Sequence, residues 1–150
     1  MKLTSPDFKD GGTIPGRCTC DGEDMSPTLE IADAPQSAKS LVLIVDDPDA
    51  PSGCFTHWVV WGLAPELTEI AAGKLPPAAV QGVTDFGANK YGGPCPPSGV
   101  HRYYFKLYAL DMDLALPSRT RRQALDAAIK GHIVSEATLM GRYGRRGGKL

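Results

Sequence analysis

Three apolar runs organise this chain. Residues 41–45 (Leu-Val-Leu-Ile-Val) form a continuous, largely β-branched run that stops at Asp-Asp-Pro-Asp-Ala-Pro, the pattern of a strand buried on both faces. Phe55–Leu63 predicts a second strand, and strict alternation puts Phe55, His57, Val59, Trp61 and Leu63 on one face with Trp58 and Val60 on the other. Residues 102–111 predict a third, in which His101, Tyr103, Phe105, Leu107 and Ala109 alternate with Tyr104, Lys106, Tyr108 and Leu110. Strands that are apolar on both faces imply a layered sandwich rather than one open sheet. Residues 118–130 read as one helix: Ser118 can cap its start, Gly131 can end it, and Leu125, Ala128 and Ile129 supply its apolar stripe. The pattern of residues 132–143 fits helix or strand, and a closing strand is expected. Residues 76–97 are rich in Gly and Pro and should be mostly irregular, a length at which loops are often functional. The basic, Gly-rich end from Arg145 to Leu150 is expected to be a flexible tail.

The same parity singles out three polar residues. Asp47 continues the face of Leu41, Leu43 and Val45, His57 that of Val59, Trp61 and Leu63, and His101 that of Tyr103 and Phe105. Asp47 ends its strand and His57 opens the next after a short connection, so hairpin pairing puts both at one end of the sheet. His101 joins them if the third strand runs in the same sense as the second.

Composition narrows what such a rim could do. With 150 residues, a single domain spanning 1–150 with its own core is expected. The net charge of −1 provides no field to draw nucleic acid or a membrane surface, so anion binding must be local. Gly 17 and Pro 13 favour frequent turns and a mainly β layout. The opening Met-Lys-Leu-Thr-Ser-Pro-Asp lacks the apolar core of a signal peptide. No apolar run approaches the roughly 18 residues of a membrane span, so a cytoplasmic protein without membrane insertion is expected. The spacing of Cys18, Cys20, Cys54 and Cys95 does not match a zinc site, and free thiols are expected in a cytoplasmic chain. A disulfide from Cys18 or Cys20 to Cys54 or Cys95 would need an oxidising or hyperthermophilic setting.

Two imidazoles and the phenol of Tyr103 offer donors to a phosphate or carboxylate, and a nearby Asp can orient an imidazole. Gly92-Gly93-Pro94 and Gly99 permit close backbone approach. The mixture of acid and histidine suits a phosphate that also bears an amine or hydroxyl. Asp49 reads from its turn alone as a turn-former. Two enzymatic alternatives remain open: Cys95 with His57 or His101 as nucleophile and base, or His57, His101 and Asp47 as metal ligands. The rim holds no evident nucleophile, so a non-enzymatic binding protein is expected, with no catalytic residues, metal or cofactor.

The run from Leu41 to Pro51 resembles the first signature of the phosphatidylethanolamine-binding protein family, which includes the Raf kinase inhibitor proteins and their bacterial and archaeal relatives. Thr56-His57-Trp58 is similar to its next element. Gly92-Gly93-Pro94-Cys95-Pro96-Pro97, followed by Gly99-Val100-His101-Arg102-Tyr103, is similar to its second signature. Asp21-Gly22 through Ser26-Pro27 resembles its N-terminal segment, and Leu139-Met140-Gly141-Arg142-Tyr143 its prokaryotic ending. The resemblance implies a two-sheet antiparallel β sandwich with one or two short C-terminal helices and a strand at the chain's end. It implies an anion-binding pocket at Asp47, Asp49, His57, His101 and Tyr103, with Gly93 and Pro94 lining it. It also implies a phosphorylated ligand, a kinase or serine protease as possible protein partner, and a possible homodimer. Ile31 departs from the family, where Trp is common. The chain ends soon after Tyr143, without the longer C-terminal helix of eukaryotic members, so their lipid and kinase behaviour is expected to transfer poorly.

Overall fold

The structure, a computed structural model, describes residues 1–145. The strands are β1 (Lys2–Thr4), β2 (Leu29–Ala32), β3 (Ser40–Asp47), β4 (Phe55–Leu63), β5 (Glu69–Ile70), β6 (Val80–Gln81), β7 (Val100–Leu110) and β8 (Ile133–Gly144). One helix, α1 (Arg122–Ile129), precedes β8. The strands form two antiparallel sheets, ordered β1-β2-β5 and β6-β4-β3-β7-β8. Residues 132–143, ambiguous by pattern, are the closing strand β8 on the edge beside β7.

β3 is apolar on both faces because it is the central strand and both its faces are covered. Leu41, Leu43 and Val45 pack with Phe105 and Leu107 against Leu3, Leu29, Ile31 and Ile70 of the small sheet. Val42 and Ile44 pack with Leu125 and Ile129 of α1. The second covering layer is therefore a helix, not a third sheet. Arg122 ties that helix down, its guanidinium 2.9 Å from the buried Asp46 carboxylate, which Lys106 also reaches at 2.9 Å. The end of α1 behaves as expected, with Gly131 at φ +83°. Its start does not. Residues 117–120 form a turn closed by the Thr120 N–H on the Pro117 carbonyl, and the Ser118 carbonyl accepts from Asn89, so the helix begins at Arg122 with no side-chain cap.

Strict alternation fails along β4. Val45 pairs with Trp58 but Asp46 pairs with Thr56, which leaves His57 as the extra residue of a β-bulge. A second irregularity falls where Leu43 pairs with Val60 and Leu41 with Leu63, beside Gly62 at φ +72°. Each bulge switches the facing. Trp58 and Val60 consequently join Leu63 in the core between the sheets, while Val59 and Trp61 turn to α1. This reverses the facing expected for those four residues relative to Leu63. His57 keeps its expected facing because it precedes the switch. Residues 146–150 of the expected tail lie outside the described residues; Arg145, counted with them, pairs with Asp21 at 3.2 Å.

Candidate functional site

β4 and β7 both run antiparallel to β3, so the last residue of β3 and the first residues of β4 and β7 share one end of the large sheet. That geometry brings Asp47, His57, His101 and Tyr103 to a single cavity of about 300 Å3. All four are buried. The exposed part of the lining is mostly apolar, with Pro51, Phe86 and Pro97 beside Ser52. The phenyl rings of Phe55 and Phe86 and the phenol of Tyr103 stand edge-on around His57, with centroids 4.8–5.2 Å apart in successive pairs.

Each imidazole has one nitrogen committed to the protein. His57 Nδ1 lies 2.6 Å from the Gly92 carbonyl oxygen. A carbonyl can only accept, so Nδ1 carries the proton and Nε2 is left for the cavity. His101 Nδ1 lies 2.6 Å from Asp47 Oδ2, which likewise leaves its Nε2. Asp47 Oδ1 accepts the Asp49 N–H at 2.7 Å. One carboxylate thus orients His101 and closes the turn, and Asp47 also lines the cavity. The Tyr103 hydroxyl is buried and makes no well-formed hydrogen bond among the described residues, although the Cys95 backbone and the Asp47 carboxylate lie close enough to act on it. Burial, with the Asp47 carboxylate nearby, pushes the phenol well above its ordinary pKa, so it remains a donor. Burial holds the His57 imidazole below its ordinary value, outweighing the Gly92 hydrogen bond and Asp47, which act in the other sense.

Three residues assigned to the pocket by resemblance do not line this cavity. Asp49 is held by Arg102, accepting from the backbone N–H, Nε and the terminal guanidinium nitrogen at 2.8–2.9 Å. The Arg102 hydrogen bonds hold its carboxyl at a pKa of about 2. Asp49 braces the turn from outside, as its sequence position alone suggested. Gly93 donates its N–H to Asp24 at 2.8 Å, and a Cβ there would lie 2.3 Å from the Cys18 carbonyl oxygen. Its smallness lets it pack against the N-terminal segment. The Pro94 carbonyl accepts the Cys20 N–H at 3.1 Å. The wall is made instead by the next three residues, Cys95, Pro96 and Pro97.

Sequence reasoning missed Phe55 and Phe86 as cavity walls and the Gly92 carbonyl as the group that sets the His57 tautomer. Phe86 carried a weak signal, one of two aromatics, with Tyr91, inside the Gly- and Pro-rich loop. The expectation of free thiols is also corrected: Cys20 and Cys95, 75 residues apart, form a disulfide. Cys95 is therefore no nucleophile in this state. Cys18 and Cys54 are free, the first buried and the second exposed. Among the described residues, no three His, Cys, Asp or Glu side chains gather as a metal-binding group. No helix among them is long and apolar enough to cross a membrane.

Residues 4–144 match the family model described as phosphatidylethanolamine-binding protein. A UPF0098 protein of Methanothermobacter thermautotrophicus is 50% identical over 152 residues, covering 98% of this chain and 100% of that one. A crystal structure of a phosphatidylethanolamine-binding protein homolog from Chlamydia trachomatis superposes with a TM-score of 0.92 at 43% identity, over 96% and 97% of the two chains. Escherichia coli YbcL, described as a member of the mammalian family of that name, superposes with a TM-score of 0.91 at 29% identity, over 97% and 98%.

Proposed function

This chain belongs to the phosphatidylethanolamine-binding protein family, and we propose that it is a non-enzymatic binding protein for phosphate-type anions or phosphorylated head groups. One observation carries the reading. His57 and His101 each have a ring nitrogen left over, and Tyr103, whose hydroxyl makes no well-formed hydrogen bond, lines the same cavity. A buried polar group without a partner costs free energy, and a tetrahedral oxyanion that carries a proton offers an oxygen to a donor such as the Tyr103 hydroxyl and its O–H to an imidazole lone pair. The neutral form of His57 adds selectivity. Its Nε2 lone pair accepts the proton of a singly protonated phosphate, while Tyr103 donates to a bare oxygen. The mostly apolar lining suits a ligand whose phosphate enters first and whose ester substituent lies against Phe55, Phe86 and Pro97.

Titration with inorganic phosphate and with phosphoethanolamine, followed by the ring resonances of His57 and His101, tests this. Both are expected to shift. Absence of any shift at millimolar ligand would overturn the reading.

Regulation of a partner protein through the rim is a second reading. Phe86 is 49% exposed, and Pro97, which lines the same cavity, is exposed as well. An apolar rim next to an anion site suits a protein surface carrying a phosphorylated or acidic residue, as on a kinase or protease. Inhibition assays against kinases and serine proteases of the same organism are expected to yield at least one partner whose inhibition phosphate relieves; an inactive panel counts against it.

A further inference from the structure

The Cys20–Cys95 bridge takes no part in anion binding itself, yet one of its ends stands in the cavity wall. Cys95 is half-buried and lines the anion cavity; Cys20 is exposed and lies behind it. Both cysteines also line a neighbouring cavity of about 230 Å3, which gives a small reductant a path to the sulfurs. The wall segment, residues 91–97, meets the N-terminal segment through three further ties. Tyr91 donates its hydroxyl to the Cys18 carbonyl at 2.7 Å, Gly93 its N–H to Asp24, and Cys20 its N–H to the Pro94 carbonyl. On its other side the segment holds His57: the Gly92 carbonyl accepts from Nδ1, and the Gly92 N–H donates to the His57 carbonyl at 3.1 Å. The bridge is thus the covalent member of a chain of contacts that ends on the tautomer of His57.

We propose that Cys20–Cys95 is a redox-operated tether: oxidised, it holds the 91–97 wall against His57 and keeps the anion cavity formed; reduced, it releases the wall and weakens anion binding. The inference rests on the anion-binding reading above. A dithiol reductant accomplishes the step. One of its thiolates attacks Cys20 Sγ, and Cys95 leaves as a thiolate that takes up a proton. The second thiol of the reductant then displaces Cys20, so the protein gains two electrons and two protons and the reductant becomes a disulfide. Cys18 does not intervene, since it is buried and its thiol is pushed up to about 11. After reduction the two segments, 75 residues apart in the chain, are held together locally only by those hydrogen bonds, each of modest net worth, and by the packing of Tyr91 and Gly93 against the N-terminal segment.

The test uses the Cys54→Ser protein, which removes the exposed free thiol, oxidised and after treatment with dithiothreitol. Phosphate affinity is measured by calorimetry, and amide exchange at Gly92 and Gly93 is measured without ligand. If the released wall is in place about a tenth of the time, the reduced protein binds phosphate about tenfold more weakly, and both amides exchange faster. Cys20→Ser, which leaves the cavity-lining Cys95 in place, is expected to match the reduced protein and to ignore the dithiol. Equal affinity in the two redox states overturns the tether, whatever the exchange shows. Failure of the oxidised protein to bind phosphate overturns the anion reading instead. In that case, unchanged exchange at Gly92 and Gly93 overturns the mechanical part of the tether on its own.

Discussion

The Tyr103→Phe substitution should raise the stability of the free protein while lowering its anion affinity. Tyr103 is 1% exposed, and its hydroxyl makes no well-formed hydrogen bond among the described residues. A buried polar group left unsatisfied costs about 1–3 kcal/mol. Deleting the hydroxyl removes that cost, partly offset by the packing lost with one buried atom. A net stabilisation of about 1 kcal/mol is expected, which for a chain of this size raises Tm by about 2–4 °C. In the proposed complex the same hydroxyl would donate to a charged oxygen, an interaction worth about 1.5–3 kcal/mol. Its loss should weaken phosphate binding by about 10- to 150-fold. Denaturant unfolding in phosphate-free buffer checks the first sign, and calorimetric titration with phosphate checks the second. In phosphate buffer the stability difference should shrink or reverse, because ligand binding stabilises only the parent. A variant less stable without phosphate that binds phosphate as well as the parent would refute the reasoning, since the hydroxyl would then be satisfied by the protein.

Three further outcomes follow from the same geometry. Burial lowers the pKa of His57 in the free protein, so a non-titrating oxyanion such as sulfate should move its NMR titration midpoint upward. Each unit of that rise corresponds to about a tenfold gain in affinity, complete below the free-protein midpoint and lost as pH rises through the midpoint of the complex; an unmoved midpoint would count against contact with His57. Asp49 has a depressed pKa of about 2 against an ordinary 3.8, so its pairing with Arg102 stabilises the fold above the ordinary value and that stability is lost as pH falls toward 2; Asp49→Ala should abolish this part of the acid dependence in pH-dependent denaturation while leaving phosphate affinity unchanged. A Cβ at Gly141 would lie 2.4 Å from Ile14 and 2.8 Å from Phe8, both buried, so Gly141→Ala should cost about 1–3 kcal/mol by overpacking, read as a lowered denaturation midpoint.

What the sequence by itself determined is local and periodic. An apolar run on both faces made β3 a central strand, because only a covered strand tolerates such a pattern. Parity along β3 and at the openings of β4 and β7 placed Asp47, His57, His101 and Tyr103 at the ends of apolar faces, and antiparallel pairing did the rest. The family resemblance decided the strand character of β8, where periodicity was ambiguous. What only the tertiary structure decided depends on partners far along the chain. The bulge at His57 is a property of pairing with β3 and cannot be read from β4 alone, so alternation misplaced Trp58, Val59, Val60 and Trp61. Asp49 left the pocket because Arg102, 53 residues on, offers it a bidentate partner. Gly93 left it for Asp24, 69 residues back. Cys95 found Cys20 across 75 residues. Short-range pattern reports which way a side chain faces; which group it meets there is settled when distant segments are brought together, and the division of labour around this cavity is made of such meetings.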